Sequence, residues 1–110
     1  MLPNKSRLLK NKDFQTVFKK GKFFKSKVLS LRFLKNNLGL NRFGFVISNK
    51  ISKKSVERHK IKRRLSGIIK QISPGIEKGF DFVIIALQGI RGKTYKEIKK
   101  EIFFIFGVKE

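Results

Sequence analysis

The hydrophobic residues of the chain follow two kinds of spacing. Helical spacing, with apolar positions three or four residues apart, occurs in residues 14–18, 61–72 and 98–105. Shorter and denser apolar runs, typical of strands, occupy residues 28–34, 43–47 and 80–87. This pattern predicts an α+β fold with the order αββαβα, in which helices pack on one sheet as a two-layer sandwich.

The last predicted strand differs from the other two. Residues 80–87 (FDFVIIAL) are almost wholly apolar, which is typical of a central strand covered on both faces. The other two strands are separated mainly by the turn-like residues 37–41, so they are predicted to pair as a hairpin. No repeat or linker interrupts the sequence, and residues 1–110 are therefore expected to form a single domain.

Residues with known capping preferences indicate where the helices begin and end. Asn11 is expected to cap the first helix and Gly21 to end it. The middle helix is expected to begin near residues 52–55 and to stop at Ser73–Gly75. Thr94 is expected to cap the last helix.

The charge of the chain points to a polyanionic partner. The sequence has 28 lysine and arginine residues against seven acidic residues, a net charge of +21. Residues 1–70 hold 21 of these bases and only two acids, Asp13 and Glu57. Such self-repulsion destabilises a compact domain unless a polyanion neutralises it. Because the bases spread over several elements, a nucleic acid fits better than a membrane surface, which needs one strongly amphipathic segment.

Several other classes of protein are disfavoured by what the sequence lacks. There is no cysteine and only one histidine, so disulfides and Cys- or His-based metal clusters are not expected. No apolar run approaches the roughly 20 residues of a spanning helix, and residues 1–12 lack a signal-peptide core. We therefore expect a cytoplasmic protein with no membrane partner, no small-molecule substrate and no metal of its own.

The densest positive charge lies in residues 49–64 (NKISKKSVERHKIKRR). Ordinary solvated helices mix acids and bases four residues apart, whereas like charges at that spacing repel. Here Arg58 precedes Lys62 by four residues and Lys60 precedes Arg64 by four, with Glu57 as the one acid of the segment. A solvated face is the simple alternative, but this repulsion favours a helix that faces phosphate groups.

The sequence offers no catalytic constellation. Glu97 and Glu101 are four residues apart, but they lie among lysines that explain them as helix salt pairs. No Ser–His–Asp or Cys–His set and no acidic quartet for two-metal cleavage is present. A freestanding nuclease that used the two glutamates is the enzymatic alternative.

The order of residues in the basic segment resembles a known family. Arg58-His59-Lys60-Ile61-Lys62-Arg63 is similar to the Arg-Asn-Arg-x-Lys-Arg helix signature of the protein subunit of bacterial ribonuclease P. Residues 11–21 (NKDFQTVFKKG), 42–50 (RFGFVISNK) and 79–86 (GFDFVIIA) resemble the first helix and the two strands that flank the signature. The resemblance covers nearly the whole chain.

The resemblance implies a fold and a function. The fold would contain an unusual left-handed βαβ crossover, against the ordinary right-handed preference. The protein would be one monomeric subunit in a 1:1 complex with the catalytic RNA of ribonuclease P. That RNA and its Mg²⁺ would hydrolyse precursor tRNA, while the protein binds the RNA subunit and the 5′ leader. The alternative is a ribosomal protein or another structured-RNA-binding protein without an associated nuclease.

The resemblance also implies roles for particular residues. The expected contacts with the RNA subunit are Lys50, Lys53, Lys54, Arg58, His59, Lys60, Lys62, Arg63 and Arg64. The expected leader-binding cleft contains Phe14, Phe18, Arg32 and Lys50. His59 departs from the family's usual asparagine, which changes the polar contact available there.

Two groups of candidate residues have plain alternatives. Aromatic residues four apart on a helix, like Phe14 and Phe18, usually belong to the core; the resemblance instead favours a cleft in which they stack on leader bases. Arg91 and Lys93 flank Gly92 in a loop that fits phosphate binding and equally fits a simple β–α connection.

Overall fold

The computed structural model describes Arg7 and residues 10–108. The helices are α1 (Asn11–Lys20), α2 (Ser55–Ile72) and α3 (Tyr95–Phe106). The strands are β1 (Lys22–Lys25), β2 (Leu29–Lys35), β3 (Arg42–Val46) and β4 (Phe80–Ala86). Short 3₁₀ turns follow α2 at Ser73–Gly75 and β4 at Gln88–Ile90. The α+β class predicted from the sequence is confirmed. The predicted two-layer arrangement is wrong, because α1 packs on one face of the sheet and the other two helices pack on the opposite face.

The four strands form one sheet with the order β1-β2-β4-β3. β4 lies between β2 and β3, antiparallel to β2 and parallel to β3. The predicted hairpin of residues 28–34 with residues 43–47 is therefore wrong. Part of the reason is the side-chain amide of Asn41, which donates to Glu77 O and accepts from Phe80 N, both at 3.0 Å. These bonds hold the beginning of β3 beside the beginning of β4.

The position of β4 confirms that the most apolar strand is central. Its Phe82 and Ile84 pack with α2 and α3 on one face, and its Val83 packs with Val17 of α1 on the other. The β3–α2–β4 unit is a parallel crossover, and its left hand stays a prediction. The predicted order lacks β1, so the observed order is αβββαβα. β1 has four residues, all exposed, and such a strand leaves little apolar signal.

The helix ends agree with the sequence in most places. α2 begins at Ser55 and stops before the Ser73–Gly75 turn, as expected. Thr94 caps α3 in a complete capping box. Asn11 is not the cap of α1, because Lys10 takes that position and Asn11 is the first helical residue. Gly21 follows α1, and a Cβ there would lie 2.7 Å from Phe33 O, so this position requires glycine.

The larger core lies between the sheet and the helices α2 and α3. The helical stripes predicted from the sequence supply its fully buried residues Leu65, Ile68, Ile69, Ile72, Ile98 and Ile102. The smaller core joins α1 to the other face of the sheet through Val17 and Val83. Among the residues described, no helix is long and apolar enough to cross a membrane.

Candidate RNA-binding surface

The outward face of α2 is a ridge of positive charge. His59, Lys60, Lys62 and Arg63 are exposed on it, while Ile61 and Leu65 turn toward the sheet. Ion pairs join Arg42 to Asp13 and Asp81, and Lys93 to Glu97. None of these pairs involves a base of α2. The ridge can therefore present its ammonium and guanidinium groups to phosphate.

Arg58 differs from the other bases of α2. It is partly buried, on the same side of the helix as Leu65, and its Nη1 donates to Ser52 O at 2.9 Å. The Ser52 hydroxyl in turn donates to Glu57 and accepts from Lys54 N. Arg58 thus holds the turn that leads into α2, which gives it a structural bond in addition to the RNA contact expected from the sequence.

The pKa of Glu57 reflects the positive charge around the beginning of α2. Its pKa is lowered, first by the hydrogen bond from Ser52 and then by the positive charges of Lys54, Arg91 and Lys60, with slight burial opposing them. Arg91 lies in the loop after β4, so this loop and α2 share one positive field. The single acid of the basic segment remains ionised within that field.

The residues predicted near the beginning of α2 do come together. Lys50, Lys53, Lys54 and Arg91 line one depression of about 480 Å³. The backbone of Lys50 is fixed because Gln88 Nε2 donates to Lys50 O at 2.7 Å. This bond connects the turn after β3 with the turn after β4.

A second depression of about 560 Å³ continues along α2. It brings Lys60 and Arg64 opposite Arg91 and Lys93, with Tyr95 at 40% exposure beside them. Lys93 Nζ also lies 3.7 Å from Glu97 Oε2. Arg91 and Lys93 are therefore placed where an anion bound to α2 would also meet the loop.

The other predicted surface lies between α1 and the sheet. Val17 is the fully buried residue of α1, whereas Phe14 is partly buried and Phe18 is 39% exposed. The core interpretation of the two phenylalanines is therefore only partly correct, and Phe18 is available at the surface. Arg32 of β2 stacks on Phe18 with its guanidinium carbon 4.9 Å from the ring centroid.

Phe23 of β1 also lines the cleft, although it was not among the residues predicted from the sequence. It is Arg32's cross-strand partner, and the Arg32 guanidinium carbon lies 5.3 Å from its ring centroid. Phe23 is 63% exposed. The only available signal was the Lys-Phe-Phe-Lys sequence of β1, which has no strand alternation. Arg32 Nε is buried and finds no hydrogen-bond partner among the described residues.

An ion pair fixes the end of this cleft. Arg42 Nε and Nη2 donate to the two carboxylate oxygens of Asp81 at 2.8 and 2.7 Å, and Asn36 Nδ2 donates to the same carboxylate at 2.8 Å. Arg42 Nη1 also lies 3.7 Å from Asp13 Oδ2 on α1. The bond with Asp81 is the main reason that the pKa of Arg42 is raised. Arg42 therefore anchors α1 to the sheet.

The acidic residues do not form a metal site in the part of the chain that the structure describes. No three His, Asp or Glu residues there are grouped to hold a metal ion. Glu97 completes the capping box of α3, and hydrogen bonds with Thr94 lower its pKa. Glu97 is thus accounted for as a helix-capping residue.

A basic helix and an aromatic cleft on a small α+β fold are features of RNA-binding proteins. The family model "Ribonuclease P" matches residues 2–108. The chain is therefore a member of the ribonuclease P protein family, whose members act with an RNA subunit in an endoribonuclease that removes the 5′ leader in tRNA processing.

Individual relatives agree with this assignment. The chain is 38% identical over 103 residues to the "Ribonuclease P protein component" of Clostridium acetobutylicum, covering 92% of this chain and 86% of the relative. It is 39% identical over 107 residues to the protein of that name from Synechocystis, covering 96% and 86%. The RNase P proteins of Staphylococcus aureus and Thermotoga maritima superpose with a TM-score of 0.86, at 27% and 28% identity. These superpositions cover 93% and 94% of this chain, and 93% and 100% of those chains.

Proposed function

We propose that the α2 ridge binds the RNA subunit and that the cleft between α1 and the sheet holds the single-stranded 5′ leader of precursor tRNA. The observation that carries the proposal is the exposed face of α2, where Lys60, Lys62 and Arg63 stand free of the ion pairs found in the described residues. Neutralising phosphates releases counterions from RNA, and this supplies affinity without reading sequence.

Within the ridge, the residues have different parts. Lys60, Lys62 and Arg63 contact phosphates directly, since their side chains are exposed. Lys50, Lys53, Lys54 and Arg91 extend the contact around the beginning of α2. Arg58 orients the ridge through its bond to Ser52. The exposed His59 adds a polar contact to the RNA.

In the cleft, stacking and charge act together. Phe18 offers part of its ring to a leader base, a contact worth roughly 1–3 kcal/mol per base and tolerant of sequence. Arg32 is held between Phe18 and Phe23, so its remaining donors reach a phosphate of the same strand. Phe14 supports the floor of the cleft beside Val17.

We expect the Mg²⁺ ions of the reaction to be bound by RNA. Magnesium prefers oxygen ligands, especially carboxylates and phosphates. The predicted cleft residues Phe14, Phe18, Arg32 and Lys50 offer aromatic rings and cations, which do not fit a Mg²⁺ site. In this proposal the RNA subunit and the substrate hold the ions, and the protein lowers the Mg²⁺ requirement by strengthening substrate binding. The protein acts as a monomer in a 1:1 complex in the cytoplasm.

Reconstitution with the cognate RNA subunit tests this proposal. Precursor tRNA with a leader should be bound and cleaved better at low Mg²⁺ when the protein is present, and leaderless tRNA should gain no affinity. Phe18→Ala should reduce the gain for the leader while leaving RNA-subunit affinity unchanged. Protein without the RNA subunit should not cleave, and Glu97→Gln should not alter holoenzyme turnover. Equal affinity for substrates with and without a leader would contradict the cleft assignment.

A further inference from the structure

One corner of the sheet, on the face that carries α2 and α3, combines aromatic rings with lysines. Lys22 of β1 is the cross-strand partner of Phe33, and Lys35 of β2 is the partner of Phe80. Cross-strand partners share a face, as do residues two apart on a strand. These four side chains therefore stand together, and with Lys20 and Leu34 they line a depression of about 390 Å³.

The helices leave this corner partly open. Phe33 and Phe80 are only partly buried, and their ring centroids are 6.2 Å apart in an edge-to-face arrangement. Lys20, Lys22 and Lys35 are all exposed. No carboxylate is among the described residues that line the depression. Glu77 lines the neighbouring depression, which lies toward α3 and shares the two rings.

This chemistry fits a nucleotide in a single strand. Unpaired bases stack on aromatic side chains, and lysines act as point charges for phosphates. The volume lies within the roughly 300–1,000 Å³ of ordinary ligand sites. Three cations without a lining acid make the depression complementary to a polyanionic strand.

The corner is connected to the leader cleft by a short stretch of chain. Phe18 belongs to the cleft, and Lys20 ends the same helix two residues later. Gly21 follows and passes so close to Phe33 that a Cβ there would lie 2.7 Å from Phe33 O. A strand that leaves the cleft beside Phe18 can therefore pass Lys20 and Lys22 at the edge of the sheet and reach the two rings.

We propose that this corner is a second single-stranded RNA subsite, occupied by the part of the 5′ leader that lies farther from the cleavage site. The subsite rests on the proposed function, because the cleft must hold the nearer part of the leader first. It adds affinity only to leaders long enough to go around β1.

A series of precursor tRNAs with increasing leader length, bound to the reconstituted holoenzyme, tests the subsite. With wild-type protein, affinity should rise in two steps, one for the cleft and one for the corner. Lys22→Gln with Lys35→Gln should remove the second step and leave the first. For long leaders, the log–log salt dependence should fall by about 0.7 per lost phosphate contact, the value for single strands. The matched control replaces the exposed Lys96 and Lys100 of α3 with Gln, which removes equal charge.

Each outcome separates the two proposals. If the control pair weakens long leaders equally, or if the corner pair weakens short leaders and leaderless tRNA as much, the subsite is wrong. If wild-type protein adds no affinity even for short leaders, the cleft proposal fails instead. Thermal unfolding checks that the variants are folded, and Lys20→Gln with Lys35→Gln replaces any variant that is not.

Discussion

The helices α2 and α3 pack side by side on the same face of the sheet, yet they are built differently at the surface. α3 is capped at its beginning by Thr94, which forms a capping box with Glu97, and at its end by Gly107, whose φ of 68° is the left-handed conformation suited to glycine. The N-cap residue of α2 is Lys54, which makes no side-chain capping bond within the described chain. The exposed bases of α3 are mixed with Glu97 and Glu101, whereas those of α2 are not mixed with acids beyond Glu57.

The difference separates what stabilises the fold from what binds the ligand. Like charges four residues apart on a helix each cost a few tenths of a kcal/mol, about 0.2–0.5. α2 carries such pairs and has no side-chain bond at its N-cap to offset them, so its stability comes from its buried stripe. A surface that lowers the stability of its own helix is best explained by an external polyanion that neutralises it.

The largest expected effect concerns what the two helices share. Leu65 of α2 and Ile102 of α3 are both fully buried. Leu65→Ala and Ile102→Ala should each lower the free energy of unfolding by about 2–5 kcal/mol, through lost apolar burial and the cavity left behind. Denaturant unfolding measures this, with exposed Gln71→Ala as the control. A cost below about 1 kcal/mol for one helix alone would mean that the two do not share one core.

The next effect separates the helices. Replacing Lys60, Lys62 and Arg63 with Gln should weaken RNA-subunit binding roughly a hundredfold at 0.15 M salt, since each lost contact lowers the log–log salt slope by about 0.7–0.9. The free energy of unfolding should stay the same or rise, because repulsion is relieved. The matched triple on α3 replaces Lys96, Lys99 and Lys100 with Gln. The comparison between the helices fails if both triples reduce RNA affinity equally.

The sequence predicted the features that depend on neighbours along the chain. The stripe of α2, the capping role of Thr94 and the central place of β4 follow from local spacing and composition. Strand pairing does not follow from local spacing, because it joins residues that are distant in sequence. Asn41 favours the pairing of β3 with β4 through its bonds to Glu77 and Phe80. The four-residue β1 was missed for lack of periodicity.

The candidate surfaces were predicted to a similar extent. The charge density of the basic segment predicted a binding surface, and most of the bases of that segment are exposed in the structure. Arg58's bond to Ser52 could not be foreseen, because the turn before α2 had no predicted geometry. Phe23 joins Arg32 only through the pairing of β1 with β2, so its place in the cleft could not be predicted from local sequence.

An exchange of helix caps gives a smaller effect. Thr94→Ala should cost about 0.5–2 kcal/mol of stability, since it removes the side-chain acceptor for Glu97 N. Lys54→Thr creates the capping-box pattern with Glu57 and should stabilise α2 by up to about 1 kcal/mol. The same change removes a cation from the depression at the beginning of α2, so RNA affinity should fall while thermal stability rises. A Lys54→Thr variant that gained both thermal stability and RNA affinity would show that Lys54 is not at the RNA interface.

The smallest expected effect is the acid sensitivity of the α3 cap. Bonds with Thr94 lower the pKa of Glu97 in the folded chain. A lowered carboxyl pKa contributes stability that is complete above the unfolded value of about 4.3 and is lost as pH falls through the folded value. Glu97→Gln should therefore be less stable than the wild type at neutral pH, and the two should converge on acidification. Denaturant unfolding across this pH range measures the difference in stability between the two proteins. Parallel curves would show that the ionised Glu97 adds nothing to the cap.

Glu57→Gln is the corresponding variant on α2, where the hydrogen bond from Ser52 is the main cause of the lowered pKa of Glu57. The Glu57→Gln variant should also be less stable than the wild type at neutral pH, and it should bind RNA more tightly because the only acid of the basic segment is removed.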